Sequence, residues 1–211
     1  MRRVFGEWTS RLGLAFAAFT LIAAGGVSAE TATVGEAAPA FTLTDTEGKS
    51  HQLADFKGKY VVLEWLNHEC PFVKKHYDSG NMQRLQKKLT GDGVVWLSIN
   101  SSAEGKQGHL TPESGKQITA EKGASPTALL LDASGTVGKL YGAKTTPHMY
   151  LVDPKGTLVY AGAIDDKAST DAEDIEGAKN YIEAAYEEAK AGKPITTAST
   201  SAYGCSVKYA S

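Results

Sequence analysis

Residues 60–76 read Tyr-Val-Val-Leu-Glu-Trp-Leu-Asn-His-Glu-Cys-Pro-Phe-Val-Lys-Lys-His, and this stretch decides the fold. Its first six residues are apolar or aromatic apart from one glutamate, which is typical of a buried strand. Beyond it, apolar side chains recur at helical spacing as far as Leu89, with a break predicted at 78–80. Cys70 therefore lies where a strand passes into a helix, and Pro71 suits the first helical turn.

The position of Cys70 predicts a reactive thiol. Unpaired N–H groups and the positive dipole end of a helix favour a thiolate over a thiol. His68, Lys74, Lys75 and His76 add groups that are or can become positive, whereas the intervening glutamate acts in the opposite sense. We therefore expect a lowered pKa for this thiol. The alternative is a buried and inert cysteine, because free cysteines are among the most buried residues.

Length and charge limit the classes of function. A chain of 211 residues suits one ordinary domain with extensions and can bury a proper core. The net charge of -2 and the pI near 6.2 give no footprint for a nucleic acid or a membrane surface. The sequence also has no glycine-rich phosphate loop and no Ser-His-Asp order, which argues against nucleotide chemistry and serine hydrolysis.

Residues 1–29 have the pattern of a secretory signal peptide. A start with arginines is followed by an apolar run at 12–24 and by the small residues Val-Ser-Ala at 27–29. An uncleaved membrane anchor is the alternative, but the run is short for a span of about 20 residues. We expect a periplasmic or secreted protein without stable membrane association after cleavage. Arg2-Arg3 leaves the choice between the general and the twin-arginine export route open.

The remaining chain predicts an α/β domain at 30–192 and a C-terminal tail at 193–211. The predicted order is an N-terminal hairpin, the strand and helix around Cys70, two further strands with helices, a second hairpin and a last helix over about 170–191. Proline, threonine, serine and alanine dominate the start of the tail, which indicates an extended, flexible segment ending at Cys205. In an oxidising compartment, the two cysteines could pair with each other, pair with a partner protein, or stay free.

This element order resembles the thioredoxin fold in its peroxiredoxin-like form. That fold has a central mixed β-sheet flanked by helices, here with an N-terminal β-hairpin extension and a C-terminal tail. Residues 65–74 resemble the thioredoxin active-site segment, and Thr146-Pro147 resembles the cis-proline step that faces the active-site cysteine. Residues 204–209, Gly-Cys-Ser-Val-Lys-Tyr, resemble the tail of a redoxin family with a single active-site cysteine, related to alkyl hydroperoxide reductase and thiol-specific antioxidant proteins.

The chain departs from the related patterns in two ways. Val73 stands in the place of the second cysteine of thioredoxins, so the usual disulfide across two residues cannot form. Asn67 and Leu63 stand where peroxiredoxins have a threonine or serine and a proline ahead of their reactive cysteine. Cys70 therefore corresponds to the first, attacking cysteine of the thioredoxins.

The resemblance implies an exported thiol-based oxidoreductase. Cys70 would attack a disulfide or a peroxide and form a mixed disulfide or a sulfenic acid. Cys205 is the candidate resolving cysteine, with a reach of roughly 20 Å on a flexible coil, and is alternatively a tail anchor or an unpaired thiol. Thr146 and Pro147 would shape the substrate groove. The implied partners are a protein disulfide or peroxide substrate and an external thiol reductant; no cofactor and no nucleic acid is expected.

Two alternatives come from other classes of function. The first is binding of a soft metal such as copper(I), with Cys70 joined by His68, His76, His148 or Cys205 as thiolate and imidazole ligands. The second is an inactive thioredoxin-like interaction module, since a fold does not by itself imply its chemistry.

Overall fold

A computed structural model describes residues 1–2 and 31–210 of the chain. The predicted signal peptide at 1–29 falls, except for its first two residues, outside the described residues and stays a prediction. Within the described part, no helix is both long enough and apolar enough to cross a membrane.

The described residues form nine strands and five α-helices. The strands are β1 (Thr42–Asp45), β2 (Ser50–Gln52), β3 (Val61–Trp65), β4 (Val95–Asn100), β5 (Ala128–Leu131), β6 (Thr145–Thr146), β7 (His148–Val152), β8 (Leu158–Gly162) and β9 (Cys205–Ser206). The helices are α1 (Pro71–Asp78), α2 (Asn81–Gly91), α3 (Pro112–Glu121), α4 (Thr136–Leu140) and α5 (Tyr181–Lys190).

Seven of these strands form one mixed sheet in the order β2-β1-β5-β4-β3-β7-β8, and β6 and β9 form a separate two-stranded sheet. The central strands β3, β4 and β5 are parallel, whereas the hairpin β1-β2 and the hairpin β7-β8 join antiparallel. This confirms the predicted thioredoxin-like α/β fold with its N-terminal hairpin.

Strand β3 is buried along its whole length because both faces of the sheet are covered. Val62 belongs to the apolar cluster shared with α1, α2 and α5, whereas Leu63 and Trp65 belong to the cluster on the other face. This alternation is the two-residue period of a strand. Burial of one such valine or leucine stabilises the fold by about 1.5–3 kcal/mol. The strand therefore gives Cys70 a rigid support.

The predicted break after the first helix is confirmed. Helix α1 ends at Asp78, and α2 begins at Asn81 after Gly80, which has a left-handed conformation with φ of 78°. A residue without Cβ adopts this conformation at little cost. The break lets α1 and α2 pack as two separate segments over the same face of the sheet.

The predicted helix over 170–191 is wrong in its first half. A 3-10 turn covers Ala172–Ile175, and α5 begins only at Tyr181. Asn180 is extended, and its side chain accepts a hydrogen bond from the backbone N–H of Glu183 at 2.9 Å. Asparagine is a preferred helix N-cap, and a residue in this role starts a helix rather than continuing one.

The tail does not form the flexible coil that its composition predicts. Residues 198–200 run beside Ala161, with backbone hydrogen bonds of 3.2 Å on either side of it. Further on, the N–H of Val207 donates to the carbonyl oxygen of Lys144 at 3.0 Å. Packing, rather than the reach of a free coil, therefore sets the position of Cys205.

Candidate active site

Cys70 is the N-cap residue of α1. Its backbone is extended, with φ of -72° and ψ of 127°, and Pro71 follows at the first helical position as predicted. The N–H of Cys70 donates to the carbonyl oxygen of Asn67 at 2.9 Å, and the carbonyl oxygen of Cys70 accepts from the N–H of Lys74 at 2.9 Å. The thiol therefore lies at the end of α1 where free N–H groups point towards it.

The loop before Cys70 is fixed by a neighbouring loop. The Asn67 side chain accepts from the N–H of Glu69 at 2.9 Å and donates to the carbonyl oxygen of Gln107 at 3.2 Å. At Gly108, a Cβ atom would lie 2.0 Å from Oδ1 of Asn67, so only glycine allows this approach. Nothing local in the sequence links the two loops, so this support could not be predicted from it.

Thr146 and Pro147 lie against Cys70, and the peptide bond between them is cis. The Cys70 thiol donates to the carbonyl oxygen of Thr146 at 3.1 Å. The hydroxyl of Thr146 is buried and has no hydrogen-bond partner among the described residues. A thiolate at Cys70 would give this hydroxyl an acceptor, and this interaction lowers the pKa of Cys70. The structure thus brings three of the predicted site residues together.

Cys205 also lies at this site. Strand β9 pairs antiparallel with β6, so that Cys205 is opposite Thr146. At Gly204, whose φ is 137°, a Cβ atom would lie 2.1 Å from the carbonyl oxygen of Thr146. Both cysteines are free, and Cys205 is near enough to lower the pKa of Cys70. The absence of a side chain at Gly204 permits this close approach.

The two thiols differ in acidity. Burial raises the pKa of Cys70, but the Cys205 thiol, the N–H groups of Val73 and Cys205 and the Thr146 hydroxyl lower it below its ordinary value. Burial, together with the hydrogen bond to Cys70 and the charge there, raises the pKa of Cys205 to about 11. Cys70 therefore ionises first, and Cys205 stays protonated at neutral pH.

The sequence predicts that nearby positive groups lower the pKa of Cys70. For the histidines this prediction is wrong. Burial lowers the pKa of both His68 and His76 to about 4, so both rings are neutral at neutral pH. The ammonium group of Lys75 donates to the carbonyl oxygen of Lys167 at 2.9 Å and is held there. Donors at the helix start, at Thr146 and at Cys205 therefore favour the Cys70 thiolate, and neither histidine adds a positive charge.

The histidines of the copper hypothesis pack against or hydrogen-bond to other residues, although the buried Nδ1 of His68 has no hydrogen-bond partner among the described residues. The His68 ring packs edge-to-face on Tyr77 at 4.7 Å, and Nδ1 of His76 lies 2.9 Å from the side-chain nitrogen of Asn81. Nδ1 of His148 lies 3.2 Å from the hydroxyl of Tyr150. In the described ranges, no three His, Cys, Asp or Glu side chains are grouped so that they could hold a metal ion.

A buried carboxyl group lies in β3, six residues before Cys70. Glu64 is fully buried, and its side chain accepts hydrogen bonds from the Tyr77 hydroxyl at 2.8 Å, the Trp96 indole at 2.8 Å and the Ser98 hydroxyl at 2.7 Å. Burial raises the pKa of Glu64, although these hydrogen bonds oppose the change. The sequence does carry a signal for this group, a single acidic residue within an apolar strand.

Part of the chain matches a known protein family. Residues 34–161 match the family model described as AhpC/TSA family. The chain belongs to the AhpC/TSA family. This confirms the resemblance drawn from the sequence. The family match includes Cys70, Thr146 and Pro147, whereas Cys205 lies beyond it.

Curated relatives of this AhpC/TSA family chain include thiol-disulfide oxidoreductases named ResA. The protein of Geobacillus thermodenitrificans is 27% identical over 125 residues, which cover 59% of this chain and 66% of the relative. The protein of Bacillus cereus is 29% identical over 127 residues, which cover 60% of this chain and 67% of the relative. The chain thus spans about two thirds of the length of these relatives.

Two solved structures are similar over most of the chain. An uncharacterized conserved protein from Geobacillus kaustophilus has a TM-score of 0.72 and 29% identity, covering 84% of this chain and 93% of that one. A hypothetical protein from Sinorhizobium meliloti has a TM-score of 0.72 and 26% identity, covering 86% of this chain and 97% of that one. Both matches extend well beyond the span of the AhpC/TSA family model.

Proposed function

We propose that this protein is an exported thiol-disulfide oxidoreductase in which Cys70 is the nucleophile and Cys205 the resolving thiol. One observation carries the proposal: a thiol with a lowered pKa at a helix N-terminus is hydrogen-bonded to the carbonyl oxygen of Thr146, the residue that pairs with the other cysteine of the chain. Reactive cysteines have a lowered pKa and suitable donors, whereas structural ones are inert. The ResA relatives, which are thiol-disulfide oxidoreductases, support the same class of reaction.

In the first step, the Cys70 thiolate attacks one sulfur of a substrate disulfide. A bond forms between Sγ of Cys70 and that sulfur, the substrate S–S bond breaks, and the other substrate sulfur leaves as a thiolate that takes up a proton. The N–H of Val73 and the Thr146 hydroxyl stabilise the attacking anion. Pro147 helps to shape the groove in which the substrate lies.

In the second step, Cys205 resolves the mixed disulfide. It loses its proton and attacks Sγ of Cys70, so that a Cys70–Cys205 disulfide forms and the second substrate thiolate is released and protonated. The substrate has then gained two electrons and two protons, and the protein dithiol has lost them. An external thiol reductant would return the pair to the dithiol form.

A peroxide is the second candidate substrate, and membership of the AhpC/TSA family favours testing it. Cys70 would then become a sulfenic acid while the peroxide is reduced to an alcohol or water, and Cys205 would displace water to give the same disulfide. Asn67 and Leu63 stand where peroxiredoxins have a threonine or serine and a proline. Because these motif residues are absent, we favour disulfide exchange. The proposed site of action is the periplasm or the exterior, on the strength of the predicted signal peptide at 1–29.

The decisive experiment follows the covalent intermediates. Reduced protein lacking residues 1–29 is mixed with a disulfide-bonded model peptide or, separately, with hydrogen peroxide, then quenched with acid and weighed by non-reducing mass spectrometry. We expect the wild type to lose two hydrogens and to carry no added peptide or oxygen. Cys205→Ser should retain the peptide as a mixed disulfide. The ratio of the two wild-type rates decides between disulfide and peroxide as substrate.

Cys70→Ser serves as the control for the nucleophile, because it keeps a small polar side chain at the N-cap. It should form neither product while melting at a similar temperature to the wild type. A Cys70→Ser protein that still turns over would contradict the assignment of the nucleophile. A Cys205→Ser protein that turns over like the wild type would contradict the resolving role.

A further inference from the structure

The buried His76 and Asp165 and the half-buried Tyr203 form a polar cluster that the proposed reaction does not use. His76 of α1 is 0% exposed and lies with Nε2 at 3.9 Å from the Asp165 carboxylate and at 3.5 Å from the Tyr203 hydroxyl. The Tyr203 hydroxyl donates to Oδ1 of Asp165 in a short hydrogen bond. Asn81 holds the other ring nitrogen of His76 at 2.9 Å. We call His76, Asp165 and Tyr203 the tail latch.

The tail latch lies close to the cysteines along the chain. Tyr203 is two residues before Cys205, and its ring packs edge-to-face on Phe72, in the first turn of α1, at 5.8 Å. Gly204, between Tyr203 and Cys205, lies directly against the carbonyl oxygen of Thr146. A displacement of Tyr203 would therefore be passed to β9 within two residues, since the only residue between them has no side chain of its own to hold it.

Asp165 loses a hydrogen bond if the tail leaves. It is 3% exposed, and its donors are the Tyr203 hydroxyl and the backbone N–H of Lys167, at 3.0 Å from the same carboxylate oxygen. Burial holds the pKa of His76 near 4, so the neutral ring does not neutralise the carboxylate. A buried carboxylate that gives up a donor is destabilised, and hydrogen bonds to charged groups are stronger than those between neutral groups.

We infer that Tyr203 is a positioning residue whose hydroxyl, held by Asp165 beside His76, keeps β9 docked and so holds Cys205 against Cys70. The effect of this contact on the reaction rests on the proposed function, whereas the docking of β9 is independent of it. With β9 docked, Cys70 is 0% exposed. The latch therefore sets how often Cys70 is open to an external protein and how readily Cys205 closes the internal disulfide.

The first test measures docking without any disulfide. In a Cys205→Ser background, Cys70 is the sole thiol, and its rate of alkylation by iodoacetamide in the folded protein reports how often the tail leaves. Tyr203→Phe keeps the ring on Phe72 and removes only the hydroxyl. We expect it to raise the alkylation rate by about ten- to a hundredfold, as loss of a hydrogen bond to a charged group predicts. Asp165→Asn keeps an acceptor oxygen and should give a smaller rise.

The second test measures the equilibrium of the Cys70–Cys205 disulfide in glutathione buffers. Weaker docking lowers the effective concentration of Cys205, so Tyr203→Phe should make the reduction potential less negative, by about 30 mV for each tenfold change. Tyr181→Phe is the matched control, because it removes a tyrosine hydroxyl outside the latch. A change that only loosened the fold would lower the melting temperature without this shift in potential.

The outcomes separate the latch from the proposed function. If Tyr203→Phe matches Tyr181→Phe in alkylation and in potential, the latch is wrong even where the wild type forms the disulfide. If the wild type forms no Cys70–Cys205 disulfide but Tyr203→Phe still accelerates alkylation, the resolving role of Cys205 is wrong and the latch stands. Acceleration together with a shifted potential supports both.

Discussion

Thr146 lies opposite Cys205 in an antiparallel pair, and its carbonyl oxygen also accepts a hydrogen bond from Cys70 at 3.1 Å. One residue of the cis-proline step therefore contacts both cysteines of the chain. Because it does so through its backbone, the pairing depends on how closely β9 can approach rather than on the identity of the Thr146 side chain. The threonine hydroxyl is left free to act on the Cys70 thiolate.

The first prediction concerns the close approach at Gly204. Gly204→Ala places a Cβ atom 2.1 Å from the carbonyl oxygen of Thr146 at a backbone φ of 137° that side-chain-bearing residues rarely adopt. We expect β9 to undock, with a loss of about 1–3 kcal/mol in the free energy of unfolding. Alkylation of Cys70 in a Cys205→Ser background should accelerate by about 5- to 150-fold, since each 1.4 kcal/mol is a factor of about ten.

Gly177→Ala is the control for this prediction, since nothing lies within 4 Å of a Cβ atom there. It should leave the alkylation rate unchanged. Equal rates for Gly204→Ala and Gly177→Ala would show that docking of β9 does not cover Cys70.

The second prediction concerns the source of the acidity of Cys70. Cys205 is one of the groups that lower the pKa of Cys70. Cys205→Ser keeps a hydroxyl donor, whereas Cys205→Ala removes the donor at similar size. We expect the midpoint of the pH profile for iodoacetamide labelling to lie higher in Cys205→Ala than in Cys205→Ser. The plateau at high pH, which reports access rather than ionisation, should be similar, and coincident midpoints would rule out Cys205 as a donor.

The fold could be predicted from the sequence because its signals are local. The apolar run at 60–65, the proline after Cys70 and the break at 78–80 each constrain a few neighbouring residues. The last helix was mispredicted at its start because the capping side chain of Asn180 outweighs a helical pattern that continues through it. The composition of the tail predicts a flexible coil. Its backbone is instead hydrogen-bonded to Ala161 and Lys144, which are distant from it in the sequence.

Only some residues of the candidate site can be predicted from the sequence. Cys70 and the Thr146-Pro147 step carry motifs, so they could be identified before their contacts were known. The latch residues Asp165 and Tyr203 carry none, because each acts through a partner 38 residues away in the chain. The sequence also suggested positive charge from His68, and it could not show that burial would keep this ring neutral.

The third prediction concerns copper. Within the described part of the chain, no three candidate ligands are grouped to hold a metal, and His148 is held by its own neighbours. We expect reduced protein, titrated with copper(I) in competition with a chromophoric chelator, to bind no more metal than Cys70→Ser does. Retention of one equivalent that is lost in both Cys70→Ser and His148→Ala would instead favour the metal-binding hypothesis.

The last prediction concerns the buried carboxyl group of Glu64. Burial raises its pKa above the value of 4.5 that applies when it is unperturbed. A raised pKa in the folded state stabilises the fold fully below pH 4.5, and this contribution is lost as the pH rises through the folded pKa. In that window the unfolded chain is ionised at Glu64 and the folded protein is protonated, so the wild type loses about 1.4 kcal/mol per pH unit from this group.

Glu64→Gln removes the titration and keeps a side chain of similar size, with an NH2 donor in place of one accepting oxygen. We expect its free energy of unfolding to rise relative to that of the wild type as the pH increases. The measurement is urea unfolding at a series of pH values from below 4.5 upwards. The comparison with the wild type cancels the other titrating groups, which both proteins share. The exposed Glu104→Gln serves as the control and should run parallel to the wild type. If Glu64→Gln also runs parallel, the carboxyl group is ionised within the folded core, and its hydrogen bonds from Tyr77, Trp96 and Ser98 outweigh the cost of burial.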